Sequence, residues 1–316
     1  IEEFRTSGKS VMPEGLERDM TAQDFRNVIA YLSSMFETKN IVDGPLPRRP
    51  PEIAPYLLDE SQPVELREKV IHQRPGMGPT ILSLLVADLE TDNLQEEYRR
   101  MPWIWRVAIA VGKRNDGGEI RDTLQMCVPR NGEPLRHWQA VVIGGGLING
   151  ISQLGISPGL RMDEILNGLP QVRSSWPSAL SRAAKMADDE SVKAGTRYDA
   201  LRMVALQSPE TAVQHLQRHL TSDAERQLQM GAVSGLIDVE TAEADRLLAD
   251  AIPWLKARNR FLALEGMLRT DARAALLAQR VRSDRLSIEA AEAQQLTQHK
   301  VEKIRRRAIE TFAATN

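Results

Sequence analysis

Across roughly the last 120 residues, three windows recur at nearly constant spacing: TRYDALRMVAL from Thr196, RQLQMGAVSGL from Arg226 and RNRFLALEGML from Arg258, 30 and 32 residues apart. Each opens on polar residues, passes through a small or apolar centre and closes on leucine. A second amphipathic stretch, AVQHLQRHL or AEADRLLADAI, follows the first two. One helix pair cannot bury its apolar face alone and must stack on its neighbours, so a two-helix unit repeated about every 30 residues predicts an α-solenoid. The closing stretch LTQHKVEKIRRRAIETF reads as a further helix, with Lys303, Arg305 and Arg306 on its exposed side.

No alternating strand pattern competes upstream. From residue 62 the segments QPVELREKVIHQR, PTILSLLVADLE, PWIWRVAIAVG, GEIRDTLQMCV and PLRHWQAVVIGGGLINGISQLG carry apolar residues at three- and four-residue spacing between Pro, Gly and Asn-Asp breaks. Aromatic residues make up only 4% of the 316, while straight-chain residues that lose little rotamer freedom in a helix abound. The fold class predicted is all-α, with irregular helical pairs over residues 62–195 leading into the solenoid. Hydrophobic residues, at 42%, suffice for a substantial core. A formal charge of −2 gives no excess positive field, so neither nucleic acid nor an anionic membrane surface is an expected partner. No run approaches the roughly 20 apolar residues that span a bilayer.

The most suggestive local pattern is VVIGGGLINGISQLG. Counted from Gly144, the third glycine of a G-x-G-x-x-G fingerprint falls on Asn149, and a phosphate loop from Gly145 to Gly150 meets Ile151 where lysine is required. Close packing is the better reading, with Gly144 to Gly146 admitting another helix or the Trp138 ring to the backbone. His215 and His219 stand four apart and can project to one side of a helix, but Leu216 replaces the glutamate of a zincin and no third ligand is suggested nearby. Both are expected to be solvated, as are the isolated His72, His137 and His299. Cys127 is the only cysteine, which excludes an intrachain disulfide; set in an apolar stretch with no base beside it, it is expected to be a buried thiol. Trp103 can share a helical face with Val107 but not with Trp105, so at least one indole is expected in the core. Carboxylates are scattered among arginines, and no acid/base pair stands out.

The first residues read differently. Thr21 and Asp24 make a variant capping box before a helix from Ala22, and Phe25, Val28, Ile29 and Leu32 fall on one face of it. Ahead of that helix, Pro13 and Gly15 fix a turn that leaves the Met12 thioether free to meet a specific neighbour. Prolines at 45, 47, 50, 51 and 55 then mark a polyproline-like spacer. Three regions are expected: residues 1–38, a proline-rich linker over 39–61, and a helical repeat domain over 62–316. Since Ile1 is not the product of a start codon, the chain is expected to be a piece of a longer polypeptide.

The order Ser10, Met12, Pro13, Gly15, Leu16, followed by the Thr21–Asp24 cap and the Ile-Ala-Tyr-Leu of residues 29–32, resembles the C-terminal part of a c-type cytochrome. The resemblance is to the haem-binding domain of planctomycete- and Verrucomicrobium-type proteins, and it covers about 30 residues. It implies that residues 1–38 are the closing remnant of a cytochrome c-like domain and that Met12 matches the methionine that gives haem iron its axial sulfur ligand. Covalent attachment needs Cys-x-x-Cys-His, which this sequence lacks, so haem c belongs to the full-length parent and this chain alone is expected to hold none. The later repeats resemble the HEAT-like repeats that the same family carries. The pattern of His299, Arg305, Ala308 and Phe312 resembles the helix that leads into a further haem domain in relatives.

Under that resemblance the chain is a fragment of a periplasmic or otherwise extracytoplasmic protein, in which the haem module transfers electrons and the repeats act as scaffold. Its partners would be the adjacent haem domain of the same polypeptide and a redox protein; some relatives carry dehydrogenase domains, but no catalytic residue is assigned here. The alternative is a non-catalytic protein-interaction α-solenoid in which the Met-Pro turn is incidental.

Overall fold

The computed structural model describes residues 46–87, 93–128, 137–283 and 285–313. The chain divides into Ile1–Leu46 and Pro47–Asn316, and the fold described is that of the second unit. The Met12 turn and the helix expected from Ala22 lie outside the described residues. Sixteen α-helices and no strand occur among the described residues, which is the all-α class predicted.

Helix α6 (His137–Ser152) is packed between α4 (Leu94–Arg114) and α9 (Ala194–Val204). It is apolar almost all round, so Val141, Val142, Ile143, Leu147, Ile148 and Ile151 are all buried. Its glycines set the approach on both sides. A Cβ at Gly145 would lie 2.5 Å from Asp199 Cβ of α9, and one at Gly150 would lie 2.3 Å from the Ile109 carbonyl oxygen of α4. Close packing is therefore what the glycine run is for, as its failure against the nucleotide templates predicts. The approaching groups are two neighbouring helices, not the Trp138 ring.

The stacking continues from α9 to α11 (Arg226–Asp238) and α13 (Ala257–Met267), which pack in succession as an inner layer. Behind them run α10 (Pro209–Arg218), α12 (Ala242–Ala251) and α14 (Asp271–Arg282), each packed against its inner neighbours. The three inner helices begin within two residues of the recurring windows. Helical pairs stacked in this order are the predicted α-solenoid. Gly266 shows how one unit seats on the last: a Cβ there would lie 2.4 Å from Ile237 Cγ1 of α11. Buried polar residues also recur at one repeat length, as Asp199, Gln229 and Asn259. Asn259 Nδ2 donates to Gln229 Oε1 at 2.8 Å and to the Arg226 carbonyl at 3.0 Å, joining α13 to α11.

Arginines from later helices close the ends of the inner helices. Arg273 of α14, 2% exposed, donates to the carbonyls of Ile237 at 2.6 Å and Val239 at 2.9 Å and pairs with Asp245 at 2.5 Å. It thereby satisfies carbonyls left unpaired at the end of α11. Arg307 repeats the arrangement one unit later, donating to the Leu268 and Arg269 carbonyls beyond α13 and pairing with Asp271. Arg307 belongs to α16 (Glu302–Ala313), which packs on α15 (Ala290–Thr297). The single closing helix expected from Leu296 is thus two elements. The chain turns at Gln298 to Val301, where His299 Nδ1 accepts the Val301 N–H at 3.1 Å and Arg305 donates to the His299 carbonyl at 2.9 Å.

Upstream, α1 (Pro50–Leu58) packs against α2 (Val64–His72) and α3 (Gly78–Val86), and all three pack against α4. Helix α1 corrects the spacer expected over residues 39–61: its second half is helical and buries Ile53, Ala54 and Leu57. Pro50 and Pro51 occupy the first turn, where an N–H would have had no partner, so they start the helix and do not forbid it. Helix α4 likewise begins eight residues before the expected Pro102, with the Asn93 side chain accepting the Glu96 N–H at 3.1 Å. Trp103 is in the core, flanked by the Arg67 and Arg106 guanidinium groups at 4.5 and 5.1 Å from its ring centre. Helix α5 (Gly117–Met126) packs on α3, α4 and α6, α7 (Pro158–Asn167) on α5 and α6, and α8 (Pro170–Asp188) on α7 and α9. Among the described residues no helix is long and apolar enough to cross a membrane.

Candidate functional site

The inner helices leave a groove of about 790 Å³, lined by α4, α6, α9, α11 and α13 and closed at one end by the turn before α16. Its floor is aromatic and polar. Trp105 Nε1 donates to Asp199 Oδ1 at 3.0 Å, and Asn149 Nδ2 donates to the Tyr198 hydroxyl at 3.3 Å. Asp199 is 3% exposed, and burial pushes its carboxyl well above the usual range, against the opposing pull of Trp105 and Arg202.

A charged cluster underlies the floor. Arg202 Nη2 donates to Asp238 Oδ2 at 2.5 Å, Ser152 Oγ donates to Asp238 Oδ1 at 2.7 Å, and Arg269 Nη1 donates to Ser152 Oγ at 2.9 Å. One carboxylate, 2% exposed, thus holds groups from α6, α9 and the end of α13 together. Arg202 is 1% exposed, and its Nε and Nη1 find no hydrogen-bond partner among the described residues.

The lining contains six cationic side chains, Arg106, Lys113, Arg202, Arg258, Arg269 and Lys300, against the carboxylates of Asp199 and Glu265. Lys113, Arg258 and Lys300 are exposed and form no ion pair among the described residues, whereas Arg106 shares Glu68 at 2.8 Å. The groove is therefore positive although the chain carries −2 overall. No serine of the lining is hydrogen-bonded to a histidine among the described residues.

The residues singled out in the sequence are dispersed. Met12 lies outside the described residues. Cys127 is buried, its thiol pushed up to about 12 by desolvation, and is chemically quiet as expected. Trp105 faces the groove while Trp103 is in the core, the division their spacing predicts. His299 lines the groove with its ring mostly buried, 3.8 Å from Glu265, which corrects its expected solvation; His72 is exposed. The expectation for His215 and His219 is also corrected. Their side chains are 10% and 11% exposed, and the third ligand group missing from the sequence neighbourhood arrives as Asp188 from the end of α8. Sequence reasoning missed Asp199, Arg202, Asp238 and Arg269. The recurrence of a polar residue at 199, 229 and 259, one repeat apart, is the signal that marks the first of them.

No protein-family profile matches the chain, and no curated protein matches it in sequence. In structure it is similar to an engineered protein at 14% identity, over 74% of this chain and 98% of that one, with a TM-score of 0.38. It is also similar to a designed armadillo repeat protein in complex with a (KR)4 peptide, at 15% identity over 75% of this chain and 99% of that one, TM-score 0.34. Human deoxyhypusine hydroxylase in complex with glycerol is matched at 13% identity over 90% of this chain and 99% of that one, TM-score 0.28. At these scores the solenoid architecture rests on the helix packing described above.

Proposed function

We propose that the chain is a non-catalytic interaction scaffold whose groove takes an acidic, extended segment of a partner protein. The observation that carries this reading is the unpaired positive rim of Lys113, Arg258 and Lys300 around a floor built from Trp105, Tyr198 and Arg202. Exposed cations steer an acidic partner, aromatic surface supplies contact area, and carboxylates satisfy guanidinium donors. The test is fluorescence anisotropy with a labelled oligoglutamate peptide of about ten residues, against an oligolysine peptide of equal length. Saturable binding of the acidic peptide alone is expected, weakened at least tenfold by the combined K113E, R258E and K300E substitutions and by raised salt. Equal affinity for both peptides, or no effect of the triple variant, would refute the reading.

A second reading attaches to the Ser10 to Leu32 pattern: in a longer polypeptide, Met12 serves as an axial haem ligand in an exported electron-transfer protein that works with a redox partner. The visible spectrum of that longer protein with and without Met12→Ala tests it, and identical spectra would argue against ligation.

A further inference from the structure

We propose that Asp188, His215 and His219 form a binding site for a divalent transition-metal cation of the zinc class. Each of the three residues offers one ligand atom, a carboxylate oxygen or a ring nitrogen, and these atoms all lie within 4.8 Å of one another. His215 Nε2 is 3.1 Å and His219 Nε2 3.0 Å from the same carboxylate oxygen. A tetrahedral shell with bonds of about 2.0–2.1 Å places its donors about 3.3 Å apart, so small side-chain rotations open these spacings to those of a coordination sphere.

The local sequence explains why the donors converge. His215 lies in the last turn of α10 and His219 follows it by four residues at the C-cap, and their rings stack at 6.1 Å with 20° between planes, so both edges face one side. Asp188 is the last residue of α8, and His219 caps the end of α10. Two helix C-termini therefore meet at the cluster, and the partial negative charge of each favours a cation there. The two rings are mostly buried and thus held, whereas the Asp188 side chain is 41% exposed, leaving a solvent-facing side for a water as fourth ligand. Two imidazoles and one carboxylate suit zinc and its neighbours better than magnesium or calcium, which prefer oxygen-rich shells. One group opposes binding: Arg218 Nη1 lies 3.2 Å from Asp188 Oδ2, but its side chain is 61% exposed and free to swing into solvent. The groove lining includes no residue of α8 or α10, so this is a separate site.

Titration of the full chain with zinc chloride by calorimetry, and with cobalt(II) by visible absorption, tests the assignment. One saturable site per chain is expected, with the d–d bands of a low-coordinate cobalt(II) complex. Asp188→Asn and His219→Ala should each weaken zinc binding at least tenfold, and Arg218→Ala should tighten it severalfold by removing the competing charge. If the cluster is only a hydrogen-bond network, Arg218→Ala gives no tightening and zinc does not raise the thermal midpoint; that pair of results overturns the proposal. Saturable binding that survives unchanged in both Asp188→Asn and His219→Ala overturns it too, since other histidines would then hold the ion. Asp188→Asn, at a half-exposed position, keeps the experiment decisive should His219→Ala fail to fold.

Discussion

Asp199 is where a side chain's chemistry and the packing around it conflict most sharply. Its backbone and Cβ lie against Gly145, so the helix crossing that brings α6 close also strips the carboxyl of water. Because burial raises its folded pKa, the native state keeps a proton that the unfolded chain has already lost. Stability is then fully present only below the unfolded pKa of about 4 and falls as pH rises towards the folded value. Asp199→Asn preserves the shape and the acceptor for Trp105 Nε1 but removes the ionisation. Its thermal midpoint is expected to exceed that of the parent by a few degrees at pH 7, with the gap closing near pH 4, as differential scanning calorimetry would report. The sequence exposed Cys127 and Trp103 as buried because their neighbours in the chain are apolar. It hid Asp199 because the residues that desolvate it come from α4 and α6, about 50 to 90 positions away.

The α4–α6 crossing has the same logic in apolar form. Glycines permit contact of backbone with backbone, and the lost helix propensity, about 1 kcal/mol for each, is offset by dense packing. Gly150→Ala drives a methyl group towards the Ile109 carbonyl and the Gly112 Cα, neither of which can rotate away. A loss of about 1–3 kcal/mol or more is expected in urea unfolding, where an exposed helical Gly→Ala change would stabilise. Periodicity made most helices legible, and the inner windows from Thr196, Arg226 and Arg258 share one length and one order of polar start, small or apolar centre and closing leucine. It failed where single residues carry two meanings. Pro50 and Pro51 begin a helix when they sit in its first turn yet read as an extended spacer in isolation, and nothing apolar marks the turn around His299 that separates α15 from α16.

Across the repeats, stability is a chain of contacts between neighbours, so damage to one junction should spread outward from it in one direction. Arg273 is the clearest such junction: buried, paired with Asp245 and bound to the carbonyls ending α11. Arg273→Leu leaves Asp245 and those carbonyls without their partner, and a cost of about 3–5 kcal/mol is expected. Hydrogen exchange followed by mass spectrometry should show faster exchange in α12 to α16 with α4, α6 and α9 protected as before; uniform acceleration would mean the array unfolds as one unit. The groove as a whole could not be read in advance, because its positive rim is assembled from cations on α4, α13 and the turn before α16 that dilute into a near-neutral total. The glycine seam of α6 carries one last implication. Helices touching main chain to main chain have no side-chain cushion along which to slide, so the end of the groove walled by Trp105 and Asn149 is a fixed jaw. Any widening to admit an occupant must come from the other jaw, where α11 and α13 meet through side chains that can repack.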